Sequence, residues 1–326
     1  MARGFQIAIL SDIHYAGVAE QARGNDYEFR IIANPLLRLC VRGYRRFIWM
    51  RHPLKQAHLL DEFINRAGSP DLVIANGDYS CNSAFVGVSD EAAGQSAREC
   101  LEKLRRRFAP NFQATIGDHE FGKVSFFGMQ GGMRLASWKS ARADLGLQPL
   151  WQTELGRYVL IGVTSSLVGL PVFEADTLPD ELPEWHRLRE QHLAEIRETF
   201  ASIAPDRRIL LFCHDPTALP FLWREEIVRA RLPQIECTII GHLHSNLVFW
   251  KSRLLAGLPP IRFLGHTAKR LSSALYEARY WRPFRVMLCP ALAGIELLKD
   301  GGYYTAELDT EARKSAHFQF HPLRRG

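Results

Sequence analysis

Five short apolar runs in this chain each stop at an acid or a histidine. Residues 5–11 lead into Asp12-Ile13-His14, 72–76 into Gly77-Asp78, and 112–116 into Gly117-Asp118-His119-Glu120. Residues 208–213 lead into His214, and 235–240 into Gly241-His242-Leu243-His244. Short, mainly apolar runs of this length, closed by turn formers, read as buried strands. Helix-period stretches lie between them: 36–52 ended by Pro53, 57–67 stopped by Gly68, 91–108, 133–145 and 186–203. Further strands are expected at 158–163, 285–289 and 303–308. This alternation predicts one α/β domain, with no repeat and no Pro/Ser linker to divide it.

In such a fold, ligands from several strand ends converge on one sheet edge, where sites form. A lone histidine there is usually a satisfied polar residue. Five strand ends that all carry Asp or His instead point to a metal centre. A mixed Asp and His donor set suits Mn, Fe, Zn or Mg. The spacing in Asp12-x-His14 and His242-x-His244 can serve two ligands where the chain leaves the sheet.

Composition narrows the alternatives. At 326 residues, with 47% hydrophobic and 23% charged residues, the chain can bury a large core and is not disordered. No apolar run reaches the length of a membrane span. The start, Met1 to Gly4, leads directly into the first strand and its motif, so a cytoplasmic protein without a cleaved leader is expected. The six cysteines form no CxxC pair and read as reduced, mostly buried thiols.

The order of these blocks (DxH, GD, GN-H-D/E, a lone H after an apolar strand, then GHxH) resembles the calcineurin-like metallophosphoesterases. The matching stretches span residues 5–245. The resemblance implies a four-layer αββα sandwich of two mixed β-sheets with a dinuclear metal site at the strand ends, filling residues 1–309. Basic and second insertions would lie at 30–55 and 246–283, and 310–326 would be a polar, peripheral tail. It further implies that Asp12, His14 and His244 hold one divalent ion and Asp118, His214 and His242 the other, with Asp78 bridging. His119 would sit by the leaving-group oxygen as proton donor. Glu120 is read either as orienting His119 or as surface-exposed. The implied activity is hydrolysis of a phosphoester or pyrophosphate bond, with the two cations clamping an in-line displacement and ionising the attacking water.

One position departs from the pattern. The family usually has Asn where this chain has Asp118. The exchange removes an amide donor from the substrate side and adds a third carboxylate. A less positive site, weaker for anionic substrates, is therefore expected.

The net charge of +6 sits in one place. Arg38, Arg42, Arg45, Arg46, Arg51 and Lys55 lie within 36–55, which has no Asp or Glu, and account for the whole excess. Arg38, Arg42, Arg45 and Arg46 share one helical face, with Leu37, Val41, Tyr44 and Ile48 on another and Phe47 and Trp49 beside them. The segment reads in two ways. It is an ordinary amphipathic helix with a solvated arginine stripe, or an interfacial helix on an anionic membrane surface whose Arg42, Arg45 and Arg46 hold substrate phosphate. The second reading brings a phosphorylated lipid-linked substrate and peripheral membrane attachment. Nucleic acid is the less favoured partner. Residues 246–283, with Trp250, Lys251, Lys269, Arg270, Tyr276, Tyr280 and Trp281, form a second substrate-facing candidate, and His266 an extra polar contact. The family includes UDP-diacylglucosamine pyrophosphatases, although their best-known branch carries Arg where this chain has His119. A soluble nucleotide or cyclic-nucleotide phosphodiesterase, and a non-catalytic binding module of the same fold, are the alternatives.

Overall fold

The computed structural model describes residues 4–30, 32–81, 85–124, 131–260 and 272–323. Its strands are β1 (Phe5–Leu10), β2 (Leu72–Asn76), β3 (Phe112–Thr115), β4 (Leu150–Leu155), β5 (Tyr158–Val163), β6 (Arg208–Cys213), β7 (Ile235–Ile240), β8 (Val286–Leu288), β9 (Gly302–Leu308) and β10 (His317–Pro322). They form two mixed five-stranded sheets, ordered β10-β9-β1-β2-β3 and β4-β5-β6-β7-β8. β1, β2 and β3 run parallel, as do β5 to β8. Antiparallel pairing closes one edge of each sheet, at β10-β9 and at β4.

The period-2 alternation of side chains sorts the core into three layers. Ile7, Ile9, Leu72 and Ile74 of the first sheet meet Leu160, Leu210, Phe212 and Ile239 of the second between the sheets. Ala8, Leu10, Val73 and Ala75 face the other way, onto helices His58–Arg66 and Glu91–Phe108. Val159, Ile161, Ile209 and Leu211 face helix Leu182–Ser202 on the far side of the second sheet. The result is the αββα sandwich. Strands with apolar neighbours on both sides need no polar face, which is why the runs were continuous.

Two strands escape the sequence reading. β4 alternates, with only Trp151 buried, and Gln152, Thr153 and Glu154 between apolar residues mask it. The residues from Thr310 onward, expected as a peripheral tail, supply β10, which pairs with β9 from His317↔Glu307 to Pro322↔Gly302. The boundary expected at 309 therefore falls inside a sheet. As an edge strand with mostly exposed side chains, β10 carries no burial signal.

The basic segment is a helix, Pro35–Tyr44, extended by a π-helical turn, Arg45–Trp49. Asn34 caps it by accepting from the N–H groups of Leu36 (2.9 Å) and Leu37 (3.1 Å), ahead of Pro35 at the first helical position. No residue of the helix is buried, because it stands over a cavity instead of on the sandwich. Among the described residues no helix is long and apolar enough to cross a membrane. All six cysteines are free, and only Cys40 is exposed.

Candidate metal centre

The loops after the parallel strands stay paired beyond the sheets, which fixes the candidate ligands relative to one another. The N–H of Asp12 donates to Gly77 O (3.2 Å) and that of His14 to Asp78 O (3.0 Å). The Gly241 N–H donates to His214 O (2.9 Å) and the Ala291 N–H to His244 O (3.0 Å). Asp12, His14, Asp78, His242 and His244 all take left-handed backbone conformations, with φ of 47°, 47°, 59°, 62° and 60°. Such conformations are sparsely populated by residues with a side chain, although Asp and His tolerate them better than most. In Asp12-x-His14 and His242-x-His244 they turn both side chains of each pair to one side. Glycines clear the way: a Cβ on Gly77 would lie 2.6 Å from His214 Nδ1 and 2.8 Å from Gly117 Cα, at a φ of +88°.

The structure brings all seven candidate ligands together in two groups. One comprises Asp12, His14, Asp78 and His244, the other Asp118, His214 and His242, and within each the ligand atoms lie within 4.8 Å of one another. Asp78 joins the groups, since its Oδ2 lies 3.2 Å from His214 Nε2. His214 donates from Nδ1 to Asn76 O at 2.5 Å, which turns Nε2 toward Asp78 Oδ2 and Asp118 Oδ1, each 3.2 Å away; burial opposes its charge, but Asp78, Asp12 and Asp118 raise its pKa well above the usual value. His14 Nε2 faces His244 Nε2 at 3.2 Å, and the His14 Nδ1 lies 3.2 Å from Ser80 O. His214 Nε2 and Asp78 Oδ2 are buried with no hydrogen-bond partner. A buried set of three carboxylates and four imidazoles converging in one place needs positive charge, whether protons or metal ions, and the mixed Asp and His donors fit divalent ions.

Electrostatics follow from the crowding. Burial, followed by the positive neighbour His119, lowers the His14 pKa to about 4, a neutral imidazole with its lone pair free for a metal. For Asp118, Lys123 and His242 outweigh burial and hold the carboxyl well below its usual range. His119 borders the cluster, its Nε2 3.8 Å from Asp78 Oδ2 and its ring 4.9 Å from His14.

Glu120 is neither exposed nor in a hydrogen bond to His119. It is fully buried and accepts from the N–H groups of Gly117 (2.8 Å), Tyr79 (2.9 Å) and Asp78 (3.0 Å). Its carboxylate therefore staples the β2 loop to the β3 loop. Burial and the nearby Asp78 carboxylate push its pKa up to about 8, against the pull of those three donors.

Sequence reasoning also passed over Asp215 and Lys123. Asp215 is buried, with Oδ2 3.9 Å from His242 Nε2. Lys123 Nζ lies 3.1 Å from Asp118 Oδ2. The motif placed Asp215 directly after a ligand, whereas Lys123 gave no local signal.

A cavity of about 650 Å³ opens onto this cluster. His14, His119, His244 and Lys123 form its polar end. Its walls are mainly apolar: Leu37, Val41, Tyr44 and Trp49 of the basic segment, with Phe29, Ile32 and Phe85. Trp49 packs on the His244 ring at 4.9 Å, so the insertion touches the centre itself. The three arginines separate. Arg45 lines the cavity, its guanidinium 5.8 Å from the Phe29 ring centre, and desolvation lowers its pKa. Arg42 lies outside the lining and pairs with Asp26 at 2.9 Å, and Arg46 stacks on Phe47. None of the described residues 246–260 and 272–283 lines the cavity; Trp281 stacks on Phe249 away from it. His266, Lys269 and Arg270 lie outside the described residues.

Fold and cluster together define a metallohydrolase with a dinuclear divalent centre. The chain belongs to the calcineurin-like phosphoesterase family, which matches residues 5–246, and it is a metal-dependent phosphoester hydrolase. No curated protein matches it. Similar solved structures include a dimetal phosphatase from Danio rerio, 14% identical, covering 93% of this chain and 92% of that one, with a TM-score of 0.48. Two others are the phosphopantetheinyl hydrolase of Mycobacterium tuberculosis (14%, 75% and 84%, 0.35) and a metallophosphoesterase from Sphaerobacter thermophilus (14%, 98% and 88%, 0.32).

Proposed function

We propose that the protein hydrolyses the phosphoester or pyrophosphate bond of an amphiphilic substrate, with the apolar part of that substrate in the 650 Å³ cavity. Asp12, His14 and His244 would hold one ion and Asp118, His214 and His242 the other, with Asp78 shared between them. The ions, when bound, supply charge neutralisation and a water that ionises near neutral pH. The chain's own residues do the rest. His119 lies at the junction of cluster and cavity, where a leaving oxygen would emerge, and an imidazole there can protonate it. Trp49 and Tyr44 exclude water above His244.

The observation that carries this reading is the composition of the cavity wall. A soluble nucleotide would meet few polar groups there beyond the histidines, Lys123 and Arg45, whereas a hydrocarbon chain gains about 25 cal/mol for each Å² removed from water. The outer ridge of the same helix agrees with a lipid surface as the source. Leu36, Leu39 and Phe47 are 73%, 67% and 67% exposed, next to Arg42 and Arg46. Leu297, whose N–H donates to Ile48 O, is 57% exposed beside them.

The test is a series of alkyl p-nitrophenyl phosphodiesters with two to twelve carbons, below their micelle concentrations. Each methylene that enters the cavity contributes about 0.8 kcal/mol, so kcat/KM should rise about fourfold per carbon until the cavity is filled. A flat series would reject the amphiphilic substrate and favour a soluble nucleotide phosphodiester. Anionic vesicles of phosphatidylglycerol and phosphatidylcholine should co-sediment the wild type and lose the variant Arg42→Glu/Arg46→Glu/Phe47→Asp. No sedimentation of the wild type would reject the membrane surface.

A further inference from the structure

Asp118 divides its carboxylate between two tasks. Oδ1 faces the metal-site histidines, 2.9 Å from His242 Nδ1 and 3.2 Å from His214 Nε2. Oδ2 faces Lys123 Nζ at 3.1 Å. Lys123 is five residues on, just past the helical turn Asp118–Phe121, whose last N–H link runs from Gly122 back to Asp118 O at 3.1 Å. Its own N–H donates to Phe85 O at 3.0 Å, which ties the backbone behind it. The side chain is 27% exposed and lies in the cavity wall beside His119.

Sequence reasoning treated the aspartate at 118 as a loss: one amide donor fewer, one negative charge more. The structure supplies both missing quantities from one residue. Three carboxylates (Asp12, Asp78 and Asp118) with one ammonium carry the same formal charge as two carboxylates with an amide. The ammonium has three donors, of which Asp118 Oδ2 occupies one. Lys123 lines the cavity together with His119, so the others are available to a phosphoryl group held there. Charge-assisted bonds from an ammonium to a phosphate oxygen are stronger than those from a neutral amide.

We propose that Lys123 binds the phosphoryl group of the substrate, and that Asp118 and Lys123 together replace the asparagine usual at position 118. The proposal rests on the phosphoesterase reading of the site. It predicts that neither residue can be exchanged without regard to the other.

The test uses the full chain loaded with Mn, orthophosphate as the probe ligand, and bis-p-nitrophenyl phosphate as the substrate. In Lys123→Met, Mn should remain at two per chain by atomic absorption, while the calorimetric Kd for orthophosphate rises at least tenfold. kcat/KM should fall by about 10²-fold, as when one preorganised donor is removed. Lys123→Arg should recover part of the phosphate affinity. In Asp118→Asn the restored amide shares the load, so adding Lys123→Met there should weaken phosphate binding less than in the wild type. Unchanged phosphate affinity in Lys123→Met, or equal penalties in both backgrounds, overturns the proposal. So does loss of Mn from Lys123→Met in proportion to lost binding, which would make the lysine a support for the metal site. Failure of the functional reading is distinct: wild type would then bind phosphate through Lys123 and turn over no phosphoester.

Discussion

Replacing Glu120 by glutamine should destabilise the protein and loosen the metal centre without touching His119 directly. The carboxylate accepts three main-chain N–H groups at 2.8–3.0 Å in a fully buried place. Glutamine offers one carbonyl oxygen. In its better orientation that oxygen keeps Gly117 and Asp78, and the amide NH₂ is turned against the N–H of Tyr79. An orphaned buried donor costs about 1–3 kcal/mol. Loss of the charge adds nothing to this, because burial and Asp78 outweigh the three donors and already disfavour the ionised form. With about 2.1 cal/mol/K of unfolding entropy per residue, a 326-residue chain moves about 1.5 °C per kcal/mol, a fall in Tm of about 3 °C. Calorimetry of the metal-free protein at pH 8.5, above the value of about 8 to which burial and Asp78 push the group, measures this with the carboxylate as the major form. Because Asp78 is held at φ 59° and its N–H is one of the three donors, the variant should also lose metal to EDTA faster. A metal-free Tm within 1 °C of wild type would refute the staple. An unchanged Tm with lost turnover would mean that Glu120 acts through His119 instead.

The divided roles at the centre predict divided phenotypes: Asp78→Ala should lose metal and turnover together, whereas His119→Ala should keep two ions per chain and lose about 10²–10⁴ in kcat on substrates with poor leaving groups. Metal analysis beside steady-state rates checks both, and an Asp78→Ala protein with full metal content would contradict the shared-ligand assignment. His192 provides a pH dependence away from the site. It is buried, accepts from the Thr164 N–H at 3.1 Å, and burial lowers its pKa despite Glu195 nearby. The unfolded chain takes up a proton near pH 6.5 while the folded chain resists, so stability falls as pH drops below that value. His192→Gln should show a shallower loss of urea stability between pH 7.5 and 5.5 than wild type; equal slopes would exclude this source.

What was legible in the sequence was whatever repeats locally. Strands β1, β2, β6 and β7 announced themselves because burial of most of the strand makes a run largely apolar, whereas β3 is mostly half-buried, and the candidate ligands could be read because each follows a strand directly. β4 and β10 were hidden for the same reason in reverse: with one face or most of the strand open to solvent, Trp151 or Phe318 alone makes no pattern. Pairings across the fold left no trace in the sequence. Glu120 became a staple only because the β2 and β3 loops lie side by side, and Lys123 became a partner of Asp118 only because a turn closes between them. Helix periodicity identified the two faces of the 35–49 segment. Only the tertiary structure decided that its apolar face closes over the metal site as a cavity wall, leaving Arg45 inside and Arg42 and Arg46 outside. Local sequence fixes which side chains share a face, but the free energy that decides what the face meets comes from burial against residues distant in the chain.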